Sequence, residues 1–385
     1  MIGMRGLCLC NFRCNRAFPG ECRPQLARNL TCLKSTSKNI KHQLLQQMKR
    51  ALIFGFSVTA DKSGFAYLTR KLAKSNPSDC IDIEVCGIGG ISPLVLAELY
   101  DDLILRHGRF DYVFLEISTS IFSSRVNNWE REGLSVLYDL FDRIAASGAR
   151  IALINLYRDD FEHDYHIYDM LLEAIAARHN ISVLDLGAGL LRRSGKSFCK
   201  SLLNDFVHTN TKGSEFQAKQ TWEFIRDVVK ADQKNATLPA PKHRARSISL
   251  NPYCREHPLR YFERSGLELY HGSLHPGEIW TINLPKGAEL YGISYLSGPL
   301  TGRLIMNLHD IDKKIVIDTY DQWCYYLRYN FRQIDPAQAC TTLTITQDPS
   351  QPATKLLKGE ANFGSRIGHP LALHYFEDAT RFSCQ

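Results

Sequence analysis

The chain has 385 residues, 44% of them hydrophobic and 23% charged, enough for two domains that each bury a sizeable core. No stretch approaches the roughly eighteen consecutive apolar residues that a membrane helix needs, which argues against a transmembrane span. The formal net charge is +7, but residues 1–47 hold eight Lys or Arg against a single acid, Glu21, so the rest is neutral overall and shows no basic cluster of the kind a nucleic acid requires.

Residues 1–47 also carry five of the twelve cysteines, Cys8, Cys10, Cys14, Cys22 and Cys32, without helical or strand periodicity. They lack the apolar core and small-residue cleavage site of a secretory signal. Their Arg-rich, acid-poor composition is that of an organellar transit peptide, yet Met48-Lys49-Arg50 stands directly before the first strand as a natural start would. The segment is therefore read as a poorly structured basic extension and an over-extended start. Its cysteines form no paired Cys-x2-Cys knuckles and have no histidine close by, which does not fit a zinc site. The other seven, Cys80, Cys86, Cys199, Cys254, Cys324, Cys340 and Cys384, are odd in number and irregularly spaced. That pattern points to reduced thiols in a cytoplasmic protein.

From Met48 to about residue 230, apolar runs of strand length at 51–56, 81–86, 111–117, 150–155 and 181–186 alternate with helical patterns near 63–75, 92–106, 129–147, 165–179 and 213–230. Such alternation predicts an α/β domain over 48–230, with a parallel five-stranded sheet, right-handed crossovers and helices on both faces. Leu94, Leu96, Leu99 and Leu103 form one of the expected apolar stripes. Residues 231–248 are polar, proline-containing and aperiodic, and read as a linker. Within 249–385, short runs at 279–282, 289–293, 314–317 and 342–345 are separated by Gly, Pro and Asp, which predicts an all-β sandwich of jelly-roll type. Its aromatics Tyr325, Tyr326, Tyr329 and Phe331 read either as half core and half surface or as a platform for stacking sugars.

Chemistry concentrates at three residues. Ser57 follows the first apolar run in Gly55-Phe56-Ser57, at the carboxyl end of a predicted parallel strand, where α/β folds bind ligands. Asp205 and His208 share one loop, Asn204-Asp205-Phe206-Val207-His208, just ahead of the last helix. A serine hydroxyl becomes a useful nucleophile when an imidazole takes its proton, and that imidazole needs a carboxylate to fix its tautomer. Singly, the serine could cap a helix and the Asp-x-x-His loop could be merely solvated; together, in this order, they favour catalysis. His163 and His166, in Glu162-His163-Asp164-Tyr165-His166, read as a solvated loop beyond the fourth strand rather than as metal ligands.

In these motifs residues 48–230 resemble the SGNH/GDSL hydrolases. Gly55-Phe56-Ser57 matches that family's Gly-Asp-Ser block, with Phe56 in place of the aspartate. Gly87-Ile88-Gly89-Gly90 matches the glycine block, with Gly90 as the oxyanion-hole glycine. The Gly-x-Asn-Asp block falls on Leu115-Glu116-Ile117-Ser118-Thr119-Ser120, which has no asparagine; Ser120 stands nearest its position. Asp205-x-x-His208 is intact. The resemblance implies a flavodoxin-like three-layer α/β/α fold and a cofactor-free, metal-free reaction. In it Ser57 attacks an ester, His208 moves the proton and Asp205 orients His208, while the N–H groups of Ser57 and Gly90, with the Ser120 hydroxyl, hold the oxyanion. It also implies an acylated carbohydrate or other small ester as substrate, the carbohydrate resting on the appended β-domain. An acyltransferase using the same triad, or a non-catalytic glycan-binding or assembly protein that keeps the fold, are the alternatives.

Overall fold

In the computed structural model the described residues are 48–89, 92–121, 134–159, 172–232, 243–264, 267–350, 354–359 and 364–378. The extension 1–47, Gly90, His163 and His166 lie outside them. The parallel sheet is built from β1 (Lys49–Gly55), β2 (Ile81–Gly87), β3 (Tyr112–Glu116), β4 (Arg150–Leu156) and β5 (Ser182–Leu186). Its order is β2-β1-β3-β4-β5, and every neighbouring pair is parallel. The central strands β1, β3 and β4 read as near-continuous apolar runs because helices cover both faces; β3 is buried at every position.

The helices are α1 (Ser57–Ala60), α2 (Phe65–Ser75), α3 (Leu96–His107), α4 (Ser118–Ile121), α5 (Leu134–Ala146), α6 (Ala188–Ser201) and α7 (Thr211–Ala231), with a further helical stretch over 172–178. On one face Leu52, Phe54, Val113 and Leu115 pack with Leu99 and Leu103 of α3 and Leu140 and Ile144 of α5. On the other, Ile53, Phe114 and Ile154 pack with Phe65 of α2 and Trp222 and Ile225 of α7. The α6 helix is absent from the sequence reading. Gly195 inside it sits at φ 79°, and its arginines, lysines and serines blur any apolar stripe.

The remainder is all-β. One four-stranded sheet has the order β13 (Arg328–Ala339), β10 (Glu289–Ser297), β15 (Pro370–Asp378), β6 (His243–Ser249), and the other β12 (Lys313–Asp318), β11 (Arg303–Leu308), β14 (Thr342–Asp348), β9 (Ile279–Asn283). A hairpin of β7 (Arg260–Arg264) and β8 (Leu267–His271) stands apart from both. The two sheets enclose Trp280, Ile282, Leu290, Leu304, Met306, Leu343, Ile345 and Leu373, the core of a β-sandwich. Strand β6 begins at His243, inside the stretch read from sequence as linker. It pairs with β15 from His243↔Asp378 to Ser249↔Ala372.

From Lys49 onward the chain forms one compact unit. The outer face of the β10 sheet lies on α3 and α5: Tyr291, Phe376 and Ala245 cluster with Leu94 and Val136, and Leu296, Tyr329 and Leu371 join the core beneath β1 and β3. Polar groups complete this seam. The Tyr291 hydroxyl donates to Leu94 O at 3.2 Å, Arg244 pairs with Asp142 at 3.1 Å, and the Arg143 guanidinium donates to Ala245 O. No helix among the described residues is long and apolar enough to cross a membrane. The described cysteines, Cys80, Cys86, Cys199, Cys254, Cys324 and Cys340, are all unpaired.

Candidate active site

Ser57 is the first residue of α1, directly beyond the carboxyl end of β1. The reversal is tight because Gly55 has no side chain: a Cβ there would meet the Thr59 hydroxyl at 2.4 Å and Glu116 O at 2.7 Å. His208 and Asp205 come from the loop between α6 and α7. That loop is closed by a bridge between Leu203 and Thr209 and by Asn204 N donating to His208 O at 2.8 Å. Asn210 caps α7 by accepting from Gly213 N at 2.9 Å, while its amide donates to Ser201 O at 2.9 Å. A Cβ on Gly213 would stand 2.0 Å from Leu202 O, so the helix can approach the loop this closely only with glycine there. On the other side, Asp159 N donates to Phe206 O at 2.8 Å, and the Arg158 guanidinium lies over the Phe206 ring at 5.3 Å.

This scaffold brings the three side chains into one hydrogen-bonded chain. His208 Nδ1 lies 2.8 Å from Asp205 Oδ2, and His208 Nε2 lies 3.2 Å from Ser57 Oγ. With the proton on Nδ1, the carboxylate accepts from it and Nε2 is left to accept from the serine hydroxyl, the tautomer that general-base catalysis needs. Asp205 Oδ1 accepts from the amides of Val207 at 2.8 Å and His208 at 2.7 Å. Partial burial pushes the Asp205 carboxyl upward, but these amides and the imidazole outweigh it and hold it below the ordinary carboxylate range. It therefore stays charged at neutral pH.

Among the oxyanion candidates, the Ser57 amide sits in the first turn of a helix, where no intrahelical acceptor is available. Gly90 lies outside the described residues. Its neighbours are in place: Ile88 N donates to Gly55 O at 3.1 Å, and a Cβ built on Gly89 would lie 3.4 Å from Ser57 Cβ. The third-block turn is α4. There Ser118 Oγ accepts from Leu156 N at 2.8 Å and the Thr119 hydroxyl donates to Glu116 at 2.7 Å, so both are committed to structure. Ser120 is half-buried, and its hydroxyl takes part in no hydrogen bond among the described residues.

Two features escaped the sequence reading. Glu116, the last residue of β3, is fully buried between the Ser57 and Ser120 turns; a carboxylate ending an otherwise apolar strand was its only signal. The second is a cleft of about 820 Å³ in the β-part, lined by Tyr295, Asp321, Trp323, Arg328, Asn330 and Arg332. Arg328 also lines a small pocket with Ile88, Gly89 and Phe262, so it connects the cleft to the loop beside Ser57. Of the aromatics singled out in the sequence, Tyr329 belongs to the core, Phe331 packs half-buried against it and also lines the cleft, Tyr325 packs edge-on against Tyr326 at 4.8 Å, and Tyr326 lies under Arg264 at 4.0 Å. The indole that opens onto the cleft is Trp323, 41% exposed.

The sequence matches no family model, and no curated protein matches it. Among solved structures, it is similar to a two-domain esterase active on acetylated mannans, co-crystallised with mannopentaose, over 88% of this chain and 93% of that one, with a TM-score of 0.59 and 13% identity. A second structure described as a two-domain esterase active on acetylated mannans gives a TM-score of 0.60, again at 13% identity, covering 88% of this chain and 94% of that one. The likeness spans both parts of the molecule in one alignment. The chain thus shares the fold of that two-domain structure, a three-layer α/β/α part with a parallel five-stranded sheet carrying an all-β sandwich.

Proposed function

We propose that the chain is a serine esterase that removes acyl groups, acetyl in the simplest case, from an O-acylated carbohydrate. The observation that carries this reading is the chain of hydrogen bonds from Ser57 through His208 to Asp205 at the carboxyl end of the parallel sheet. The Ser57 hydroxyl adds to the ester carbonyl as His208 Nε2 takes its proton, and Asp205 stabilises the imidazolium so formed. The tetrahedral oxyanion would be held by the N–H groups of Ser57 and Gly90 and by the Ser120 hydroxyl. Collapse expels the sugar hydroxyl, which leaves with the proton from His208. Water, deprotonated by the same imidazole, then releases the acid and restores Ser57.

The carbohydrate half of the reading is supported by the cleft. Its lining combines carboxylate, guanidinium and amide groups with one open indole, the chemistry that suits hydroxyl-rich rings with apolar faces. A neighbour of the same two-domain fold acts on acetylated mannans, which makes acetylated mannan the first substrate to try.

The test is acetate release from acetylated mannan and from p-nitrophenyl acetate by the parent and by Ser57→Ala. Turnover should fall by three or more orders of magnitude in the variant. A variant within tenfold of the parent would remove Ser57 as the nucleophile. Release that depends on an added sugar acceptor would move the assignment to acyl transfer.

A further inference from the structure

Glu116 has no step in the acyl-transfer reaction, yet it lies directly behind the nucleophile. Its Oε2 accepts from the Thr59 hydroxyl at 3.0 Å, and its Oε1 accepts from the Thr119 hydroxyl at 2.7 Å and the Thr119 amide at 3.3 Å. The Phe56 amide also stabilises its charged form. Phe56 immediately precedes Ser57, and Thr119 immediately precedes Ser120. A single carboxyl therefore grips the nucleophile turn and the third-block turn, each one residue away from the hydroxyl that the proposed chemistry uses. Phe56, which stands where the related motif has an aspartate, is wholly buried among apolar side chains, and its side chain offers this turn no acceptor.

A carboxylate is a poor choice for filling this space. Burial pushes its pKa up to about 7 against the opposing pull of the Thr119, Thr59 and Phe56 hydrogen bonds, so the charged form is held at a cost to stability. An apolar side chain would pack there without that penalty. What it could not do is accept from both turns at once and fix their separation.

We propose that Glu116 is a positioning residue that locks the Ser57 turn against the Ser120 turn and so sets the distance from the nucleophile to the oxyanion donors. This rests on the esterase reading. Positioning errors of about 1 Å cost on the order of 10²-fold in rate, so losing one grip should register in the chemical step rather than in binding.

The experiment uses Glu116→Gln, nearly isosteric but with one acceptor oxygen replaced by a donor amide, and Thr59→Val, which removes one donor and keeps the volume. Two rates are measured: covalent labelling of Ser57 by a fluorophosphonate, and p-nitrophenyl acetate hydrolysis, with kcat and KM separated. Each variant should label and turn over roughly 10- to 100-fold more slowly with KM changed less than about threefold. The melting temperature of Glu116→Gln at pH 8 should be no lower than the parent's. The double variant should be no slower than the slower single one, since both act through the same contact. Labelling at the parental rate in both variants overturns the proposal, as does a loss of activity that tracks a loss of folded protein. A parent that is not labelled at Ser57 at all overturns the esterase reading, and this proposal with it, which keeps the two failures apart.

Discussion

His208 is useful only while its Nδ1–H points at a carboxylate, and the loop enforces this from both ends. Asp205 spends one oxygen on backbone amides and the other on the ring, so it cannot rotate away without leaving those amides unpaired. In Asp205→Asn the side-chain oxygen can still serve the amides, which then turns the NH2 group toward Nδ1 and selects the wrong tautomer. Turnover should drop by roughly three to four orders of magnitude with little change in melting temperature; a variant retaining a tenth of parental kcat would exclude Asp205 as the orienting group. Ser120 makes a finer test. Ser120→Ala should lower kcat and kcat/KM together by about 10- to 1,000-fold, because the contact forms mainly in the transition state, and Ser120→Asn should retain or raise activity. An alanine variant at parental rate would remove Ser120 from the oxyanion hole. Ser57, Asp205 and His208 were legible in the sequence because Asp-x-x-His is a local spacing and the serine ends an apolar run. Glu116 and Thr59 were not, since their meaning depends on a contact across 57 residues of chain.

The contact between β3 and α1 also has a pH signature. An ordinary glutamate ionises near 4.5, whereas folding raises Glu116 to about 7. Between those values the native state binds more protons than the unfolded chain, so this residue's contribution to stability falls as pH rises. The penalty is absent below about 4.5 and fully present above about 7. Glu116→Gln lacks it. The stability of the parent relative to that variant, read from denaturant midpoints, should therefore decline by on the order of 3 kcal/mol between pH 4.5 and pH 8. A difference that stays flat would mean that the carboxyl titrates normally. Other elements were legible in proportion to how simply they are buried. The strands of the parallel sheet, wrapped on both faces by helices, stood out as apolar runs. Strand β6, His-Arg-Ala-Arg-Ser-Ile-Ser, did not, because its arginines reach out to Asp142 and Glu377 rather than into a core.

At the scale of the whole molecule, the sandwich is more than an attachment. The Arg143, Tyr291 and Arg244 bonds cross the seam, and β10 is buried along nearly its whole length because the second sheet covers one face and α3 and α5 the other. Chain from Arg328 in the sandwich thereby reaches the Gly89 loop next to Ser57. If the cleft beyond Arg328 holds the sugar chain while Ser57 works on one acyl group, the two halves of recognition can be separated by substrate size. A small ester such as p-nitrophenyl acetate has no sugar face to offer Trp323, whereas an acetylated oligosaccharide would lay one on that indole. Trp323→Ala should then raise KM for acetylated mannan oligosaccharides by roughly 5- to 50-fold, the equivalent of about 1–2 kcal/mol. It should leave kcat/KM for p-nitrophenyl acetate within about twofold of the parent, because the indole is 41% exposed and its removal opens no cavity in the core. Equal losses on both substrates would mean that the substitution disturbs the fold, and no loss on either would place the sugar chain elsewhere on the surface.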